Sequence, residues 1–224
     1  MTRTAQTLSE ATDPLCLDAE QARDLLAGVP WRRFASVGDS IAVGIGDARP
    51  GYAPHGWPDR CAAALAAAHP QAAYLNTGVV GATTEQVLAD QLDHVLGFRP
   101  DLVNVVCGAN DLWLAGADLD STAARLEQIF ATVAGSGAQL STFTLADVFV
   151  TDSLRTVRDA IAGLNDVIRA LALRYDAVFV DFWQHPLRTR PDLVSADGIH
   201  FAAAGHAVVA AELIRAWSTR AALP

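Results

Sequence analysis

Residues 102–111 of this chain read LVNVVCGAND. The first six residues are apolar apart from one asparagine, and Gly108 then breaks the run before a polar Asn-Asp pair. A short apolar run that ends at a glycine is typical of a strand covered on both faces, as in a parallel sheet. Residues 102–107 are therefore predicted to form a buried strand, with the polar pair just beyond its carboxyl end.

Four further apolar stretches have the same character, and helical patterns separate them. The other predicted strands are residues 33–38, 73–76, 139–145 and 177–181. The predicted helices are residues 18–27, 58–69, 84–96, 119–134, 153–174 and 205–219. Strands that alternate with helices in this way predict an α/β fold, a three-layer α/β/α sandwich with a five-stranded, mainly parallel, doubly wound sheet. Ligands of such folds bind beyond the carboxyl ends of the strands.

The amino-acid composition excludes some classes of protein and some kinds of partner. Of the 224 residues, 51% are hydrophobic and 18% are charged, which excludes a disordered chain and favours a single domain over residues 1–224. Residues 1–17 are polar and irregular and are expected to be a loose N-terminal arm. The formal net charge of −9 argues against nucleic acid or an anionic membrane as the main partner.

Targeting, metal and cofactor motifs are missing from the sequence. The N-terminus lacks a signal-peptide pattern and no apolar run reaches membrane-spanning length, so we expect a soluble cytoplasmic protein. The three cysteines are far apart and the histidines are scattered, so the sequence indicates neither a disulfide framework nor a metal site. The glycines after residue 38 lack the pattern of a nucleotide-binding loop, and no cofactor is predicted.

The segment after the first strand contains a candidate nucleophile. It reads Gly38-Asp39-Ser40, and a helix is predicted to begin at the serine. The first N–H groups of a helix lack partners and favour a developing negative charge. This segment alone leaves two roles open for Ser40, a nucleophile or a simple N-cap.

Segments after the other strands supply hydrogen-bond donors and a base. Gly81 can offer its backbone N–H to a substrate oxygen, and Asn110 can offer its side-chain amide. Asp197 and His200 are three residues apart, so the carboxylate can hold one ring nitrogen and leave the other to accept a proton. Each segment by itself also fits an ordinary turn. Together they contain the nucleophile, oxyanion donors and base that acyl transfer needs.

The four segments resemble the ordered sequence blocks of the SGNH hydrolases, also called the GDSL esterase/lipase family. The blocks are residues 38–41 (GDSI), 76–83 (NTGVVGAT), 108–111 (GAND) and 197–200 (DGIH). Isoleucine replaces the leucine of the first block, and Phe201 stands where many members carry proline. The resemblance spans residues 34–206, which is most of the chain.

The resemblance implies a flavodoxin-like sheet and a carboxylic ester hydrolase. It implies Ser40 as nucleophile, His200 as base and Asp197 as the residue that orients it. An oxyanion hole would be formed by the N–H groups of Ser40 and Gly81 and the side chain of Asn110. The expected substrate is a small-molecule ester of a small or medium acyl group. An acyltransferase, a carbohydrate or natural-product deacetylase and a non-catalytic binding module remain as alternatives.

Three predicted loops, residues 47–58, 112–118 and 183–196, are expected to shape the substrate pocket. Their aromatic residues, which either form an apolar pocket wall or plug the end of the sheet, are Tyr52, Trp57, Trp113 and Trp183. An apolar wall would favour acyl chains over sugars.

Overall fold

The computed structural model of the protein describes residues 8–113, 116, 118–148 and 155–223. These residues form a five-stranded sheet in which every neighbouring pair is parallel, in the order β2-β1-β3-β4-β5. The strands are β1 (Arg33–Gly38), β2 (Ala73–Asn76), β3 (Leu102–Val106), β4 (Gln139–Phe143) and β5 (Val178–Val180). The predicted α/β fold is confirmed, and the sheet is parallel throughout.

Helices follow the strands at the positions that the sequence predicts, except that a short helix (Ala109–Trp113) forms where the sequence predicts a turn and the start of a loop. They are α1 (Ala19–Leu26), α2 (Ser40–Val43), α3 (Trp57–Ala68), α4 (Thr84–Gln86), α5 (Leu92–Phe98), α6 (Ala109–Trp113), α7 (Leu119–Gly135), α8 (Arg155–Arg174) and α9 (Ala203–Ala221). A π-helical turn over Val87–Gln91 joins α4 to α5, where the sequence predicts one continuous helix. Residues 153 and 154, the predicted start of α8, lie outside the described residues.

Helices cover both faces of the sheet, which explains the apolar character of its strands. Helices α1, α3 and α9 pack on one face, where Trp57 and Trp217 are fully buried. Helices α5, α7 and α8 pack on the other face around Phe130 and Leu164. All five residues of β3 are buried, as expected for the central strand of a three-layer fold.

The expectation of a loose arm over residues 1–17 is wrong for residues 8–17. Asp13 is buried, accepts a hydrogen bond from the Tyr52 hydroxyl at 2.8 Å and forms an ion pair with Arg190 at 2.8 Å. Cys16 lies in the core beside α1 and α9. The segment is ordered by long-range contacts, which local polarity does not reveal. Residues 1–7 lie outside the described residues.

Over the described ranges, no helix is both long enough and apolar enough to cross a membrane.

Candidate active site

The segments that follow the strands meet at one edge of the sheet. From β1 the chain moves to β2 on one side, whereas β3, β4 and β5 follow on the other side. A parallel sheet opens a crevice where the strand order reverses in this way, beyond the strand carboxyl ends. One cavity at this edge is lined by Ser40, Gly81, Asn110 and His200, so the structure brings these four predicted site residues together.

The turn after β1 places Ser40 beside β3. Gly38 has a φ of +140°, and a Cβ atom there would lie 1.8 Å from the carbonyl oxygen of Val106. Only glycine therefore permits this close approach of the two backbones. Asp39, not Ser40, is the N-cap of α2, because its Oδ1 accepts the N–H of Ile41 at 2.9 Å. The Ser40 hydroxyl is thus not used as a cap, which removes one of the two roles left open by the sequence.

Ser40, His200 and Asp197 form a continuous hydrogen-bonded relay. Ser40 Oγ lies 2.8 Å from His200 Nε2, and His200 Nδ1 lies 2.6 Å from Asp197 Oδ2. When the Nδ1 proton is donated to the carboxylate, the lone pair of Nε2 is free to accept the serine proton. This geometry can activate a serine hydroxyl as a nucleophile.

The carboxylate of Asp197 is held by its own loop. Its Oδ1 accepts the backbone N–H groups of Ile199 and His200 at 2.9 and 3.0 Å. Partial burial alone raises the pKa of Asp197, but the bonds from the His200 side chain and from these two N–H groups outweigh burial and hold the pKa below its ordinary value. Asp197 is therefore ionised at neutral pH and can stabilise a protonated His200.

Asp47 anchors the loop that carries His200, a role that sequence reasoning missed. Its Oδ2 accepts the N–H of Ala196 at 2.7 Å, and its own N–H donates to Ser195 Oγ at 2.8 Å. Its carbonyl oxygen accepts the N–H of Ala203 at 2.8 Å. Ser195 in turn donates its N–H to the carbonyl oxygen of His200 at 2.8 Å. No local motif signals this role, because Asp47 is about 150 residues from its partners in the sequence.

Three candidate oxyanion donors line the cavity. Among the described residues, neither the Ser40 N–H nor the Gly81 N–H donates to another protein group. Gly81 has a φ of +80° and open space at the Cβ position, so the backbone conformation favours glycine there. Asn110 Nδ2 donates to the carbonyl oxygen of Ala82 at 3.1 Å, which fixes the amide and leaves its second N–H facing Asp39 Oδ2 at a weak 3.5 Å.

Two carboxylates, those of Asp39 and Asp111, lie next to these donors and hold the segments that carry them. Asp39 is buried, and burial together with the nearby charge of Asp111 raises the pKa of Asp39 to about 7. Asp111 accepts bonds from the N–H and the hydroxyl of Thr84, and Arg125 lies 3.4 Å away. Asp111 thereby holds α6, which carries Asn110, against α4 and α7.

The cavity has a volume of about 330 Å³, and most of its wall is apolar. Apolar side chains that line it include Ile41, Val80, Leu145, Val148, Ile161 and Phe201. Trp113, predicted as a pocket residue, also lines it and is partly exposed at 41%.

The other predicted pocket aromatics do not line this cavity. Tyr52 is buried against Asp13, and Trp57 is fully buried at the start of α3, with its indole N–H donating to the carbonyl oxygen of Ile41 at 2.7 Å. Trp183 stacks under Arg158, with the guanidinium carbon 5.4 Å from the ring centroid. The prediction that these three residues form the pocket wall is corrected. Tyr52 and Trp57 instead belong to the core, because long-range packing removes both rings from solvent.

Within the described ranges, no three His, Cys, Asp or Glu side chains are grouped closely enough to hold a metal ion.

Comparison with known proteins identifies the family to which the chain belongs. A family model described as the GDSL-like Lipase/Acylhydrolase family matches residues 36–208. An acetylxylan esterase from Geobacillus stearothermophilus is similar in structure, with 22% sequence identity and a TM-score of 0.67, over 86% of this chain and 95% of that one. A lipase/acylhydrolase from Enterococcus faecalis has 24% identity and a TM-score of 0.67, over 84% of this chain and 96% of that one. At these identities the structures show a shared fold. No curated protein sequence matched the chain.

Proposed function

The chain belongs to the GDSL-like lipase/acylhydrolase family, and on that premise we propose that it is a serine esterase that cleaves carboxylic esters of small or medium acyl groups through an acyl-enzyme on Ser40. The observation that carries the proposal is the relay from Ser40 through His200 to Asp197, at 2.8 and 2.6 Å, on the wall of an apolar cavity. Carboxylic ester hydrolysis is the reaction class of the family. The acyl group and the covalent intermediate are the proposed part.

In the first half of the reaction, Ser40 Oγ attacks the ester carbonyl carbon and His200 Nε2 takes the serine proton. Asp197 stabilises the imidazolium that forms. The carbonyl oxygen becomes an oxyanion, which accepts hydrogen bonds from Ser40 N–H, Gly81 N–H and the Asn110 amide. The bond between carbonyl carbon and alkoxy oxygen then breaks, and His200 returns the proton to the leaving alcohol.

In the second half, a water molecule takes the position of the alcohol. His200 accepts a proton from the water while the oxygen attacks the acyl carbon, and the same three donors stabilise the second oxyanion. The bond to Ser40 Oγ breaks, the proton returns to the serine, and the free acid leaves. Preorganised donors matter here, since loss of one typically lowers kcat by ~10²–10³.

Hydrolysis of a p-nitrophenyl ester series from acetate to palmitate tests the proposal. Ser40→Ala is expected to lower kcat by at least ~10³ while leaving the unfolding transition unchanged, because it removes only the attacking oxygen. Ser218→Ala, which removes a hydroxyl on α9 away from the cavity, is the matched control and should keep wild-type kcat. A fluorophosphonate that labels the wild type and not Ser40→Ala would locate the covalent step. Retention of most activity by Ser40→Ala would overturn the assignment.

Deacetylation of a carbohydrate is the second candidate, because an acetylxylan esterase shares the fold at a TM-score of 0.67. It predicts a rate optimum at acetate and release of acetate from acetylated xylan oligosaccharides. The largely apolar wall of the cavity favours a longer acyl group instead.

A further inference from the structure

A second apolar compartment adjoins the active-site cavity. It has a volume of about 190 Å³, lies between α6 and α8, and is lined by Leu112, Thr156, Val157 and Ala160. Three residues line both spaces: Ala109, Trp113 and Ile161. The two compartments therefore share one wall, and that wall consists of apolar side chains.

The positions of the polar side chains in the main cavity indicate which part of a substrate its apolar wall would contact. The polar side chains of the main cavity are those of Asp39, Ser40, Asn110 and His200, which all belong to the reacting end. The remaining wall is apolar, so the hydroxyl groups of a sugar would be buried there without hydrogen-bond partners. An alkyl chain has no polar groups to leave unpaired in such a space, and it gains free energy on leaving water.

The size of the cavity limits the length of that chain. One water-sized group occupies roughly 30 Å³ in a liquid. The cavity volume of about 330 Å³ is several times larger, so the cavity can hold an acyl chain of several carbons beside the ester atoms at Ser40. A longer chain extends beyond this cavity, and the apolar space that adjoins it is the second compartment.

Resting on the proposed function, we propose that the apolar cavity is the acyl-binding site of a medium-chain ester and that Ile161 and Trp113 set the longest chain accepted. Ile161 is 2% exposed and rises from α8, so it closes the buried part of the wall. Trp113 is 41% exposed at the end of α6 and closes the part nearer to solvent. Both side chains are large, and shortening either one joins the two compartments.

Rates of hydrolysis along the p-nitrophenyl ester series test this proposal. In the wild type, kcat/KM is expected to rise by up to about fourfold for each added methylene until the cavity is full, and then to fall. Ile161→Ala should move the optimum to longer chains by two or more carbons, since the second compartment becomes available. Ile168→Ala is the matched control, because it removes the same side chain from the same buried face of α8 without lining either compartment.

Two further variants guard against a folding defect. Trp113→Ala changes a partly exposed side chain and should also lengthen the preferred chain. Val157→Trp, which lines only the second compartment, should cancel the gain when added to Ile161→Ala. An unchanged chain-length profile in both Ile161→Ala and Trp113→Ala, with hydrolysis still dependent on Ser40, would overturn this inference alone. No Ser40-dependent hydrolysis of any ester would overturn the proposed function and this inference with it.

Discussion

Asp39 is a buried carboxyl group between the nucleophile and an oxyanion donor. One of its oxygens caps α2 through Ile41 N–H at 2.9 Å, and the other lies 3.5 Å from Asn110 Nδ2. Burial first, and then the charge of Asp111, raise the pKa of Asp39 from 3.8 to about 7. The folded protein consequently binds a proton at this site over a pH range in which the unfolded chain does not.

This pKa shift makes a prediction about stability and pH. Between pH 4 and 7 the folded state holds more protons at residue 39 than the unfolded state, so the free energy of unfolding falls as pH rises. Asp39→Asn keeps an oxygen for the cap and removes the titration. The free energy of unfolding of Asp39→Asn, taken relative to that of the wild type, should therefore increase between pH 4 and pH 7.5. The increase should reach roughly 4 kcal/mol at pH 7.5.

Urea unfolding of both proteins at a series of pH values measures this difference. Groups far from residue 39 titrate equally in the two proteins, so the difference between the curves reports on Asp39 together with its coupling to Asp111. A difference that is constant across the range would show that the pKa of Asp39 is not raised.

At the scale of elements, the position of the base His200 depends on a contact between two loops. His200 lies in the loop between Val194 and Phe201, which pair through a short antiparallel bridge, and this loop is bonded to Asp47 on the segment after α2. These contacts thus fix the position of the loop that carries His200 relative to the helix that begins at Ser40. A displacement of about 1 Å between a nucleophile and its base can lower the reaction rate by ~10².

Asp47→Ala is expected to lower kcat by about tenfold to a hundredfold with little change in KM, because it releases the N–H of Ala196 and lets the His200 loop move. Asp47→Asn retains an acceptor oxygen and should recover much of the loss. Steady-state kinetics of both variants, with circular dichroism to confirm folding, provides the measurement. Equal kcat in wild type and Asp47→Ala would show that the loop is held without this contact.

At the scale of the whole molecule, the N-terminal segment is part of the folded body. Asp13 joins Tyr52 and Arg190, so three distant parts of the sequence meet at one buried carboxylate. Arg190 lies in the loop that leads to His200, and it is also paired with Asp192 at 2.7 Å. The segment therefore supports the side of the molecule that presents the base.

Asp13→Ala is expected to lower the free energy of unfolding by roughly 1–3 kcal/mol, because it leaves the buried Tyr52 hydroxyl without its acceptor while Arg190 keeps Asp192. Asp24→Ala is the matched control. It removes an exposed carboxylate paired with Arg23 and should change stability much less than Asp13→Ala does. Chemical denaturation measures both, and equal effects would show that the segment is loosely attached.

Much of the fold was predictable because its signals are local. The apolar run at residues 102–107 identified a strand buried on both faces, and the structure places β3 at Leu102–Val106 in the centre of the sheet. The relay residues were predictable for a related reason. Ser40 lies directly after a strand, and Asp197 and His200 are within one turn of each other. Each of these signals is local, but only the combination of the segments and their resemblance to the SGNH hydrolases pointed to a relay.

The sequence by itself determined the layered α/β fold and the set of side chains that meet at the sheet edge, since hydrophobic periodicity and short motifs act over a few residues. Only the tertiary structure decided that Asp39 rather than Ser40 caps α2 and that Asp47 holds the His200 loop. It also decided that Tyr52 and Trp57 belong to the core while Trp113 lines the cavity. These outcomes depend on contacts between residues far apart in the chain, and such contacts exist only once the layers have packed together.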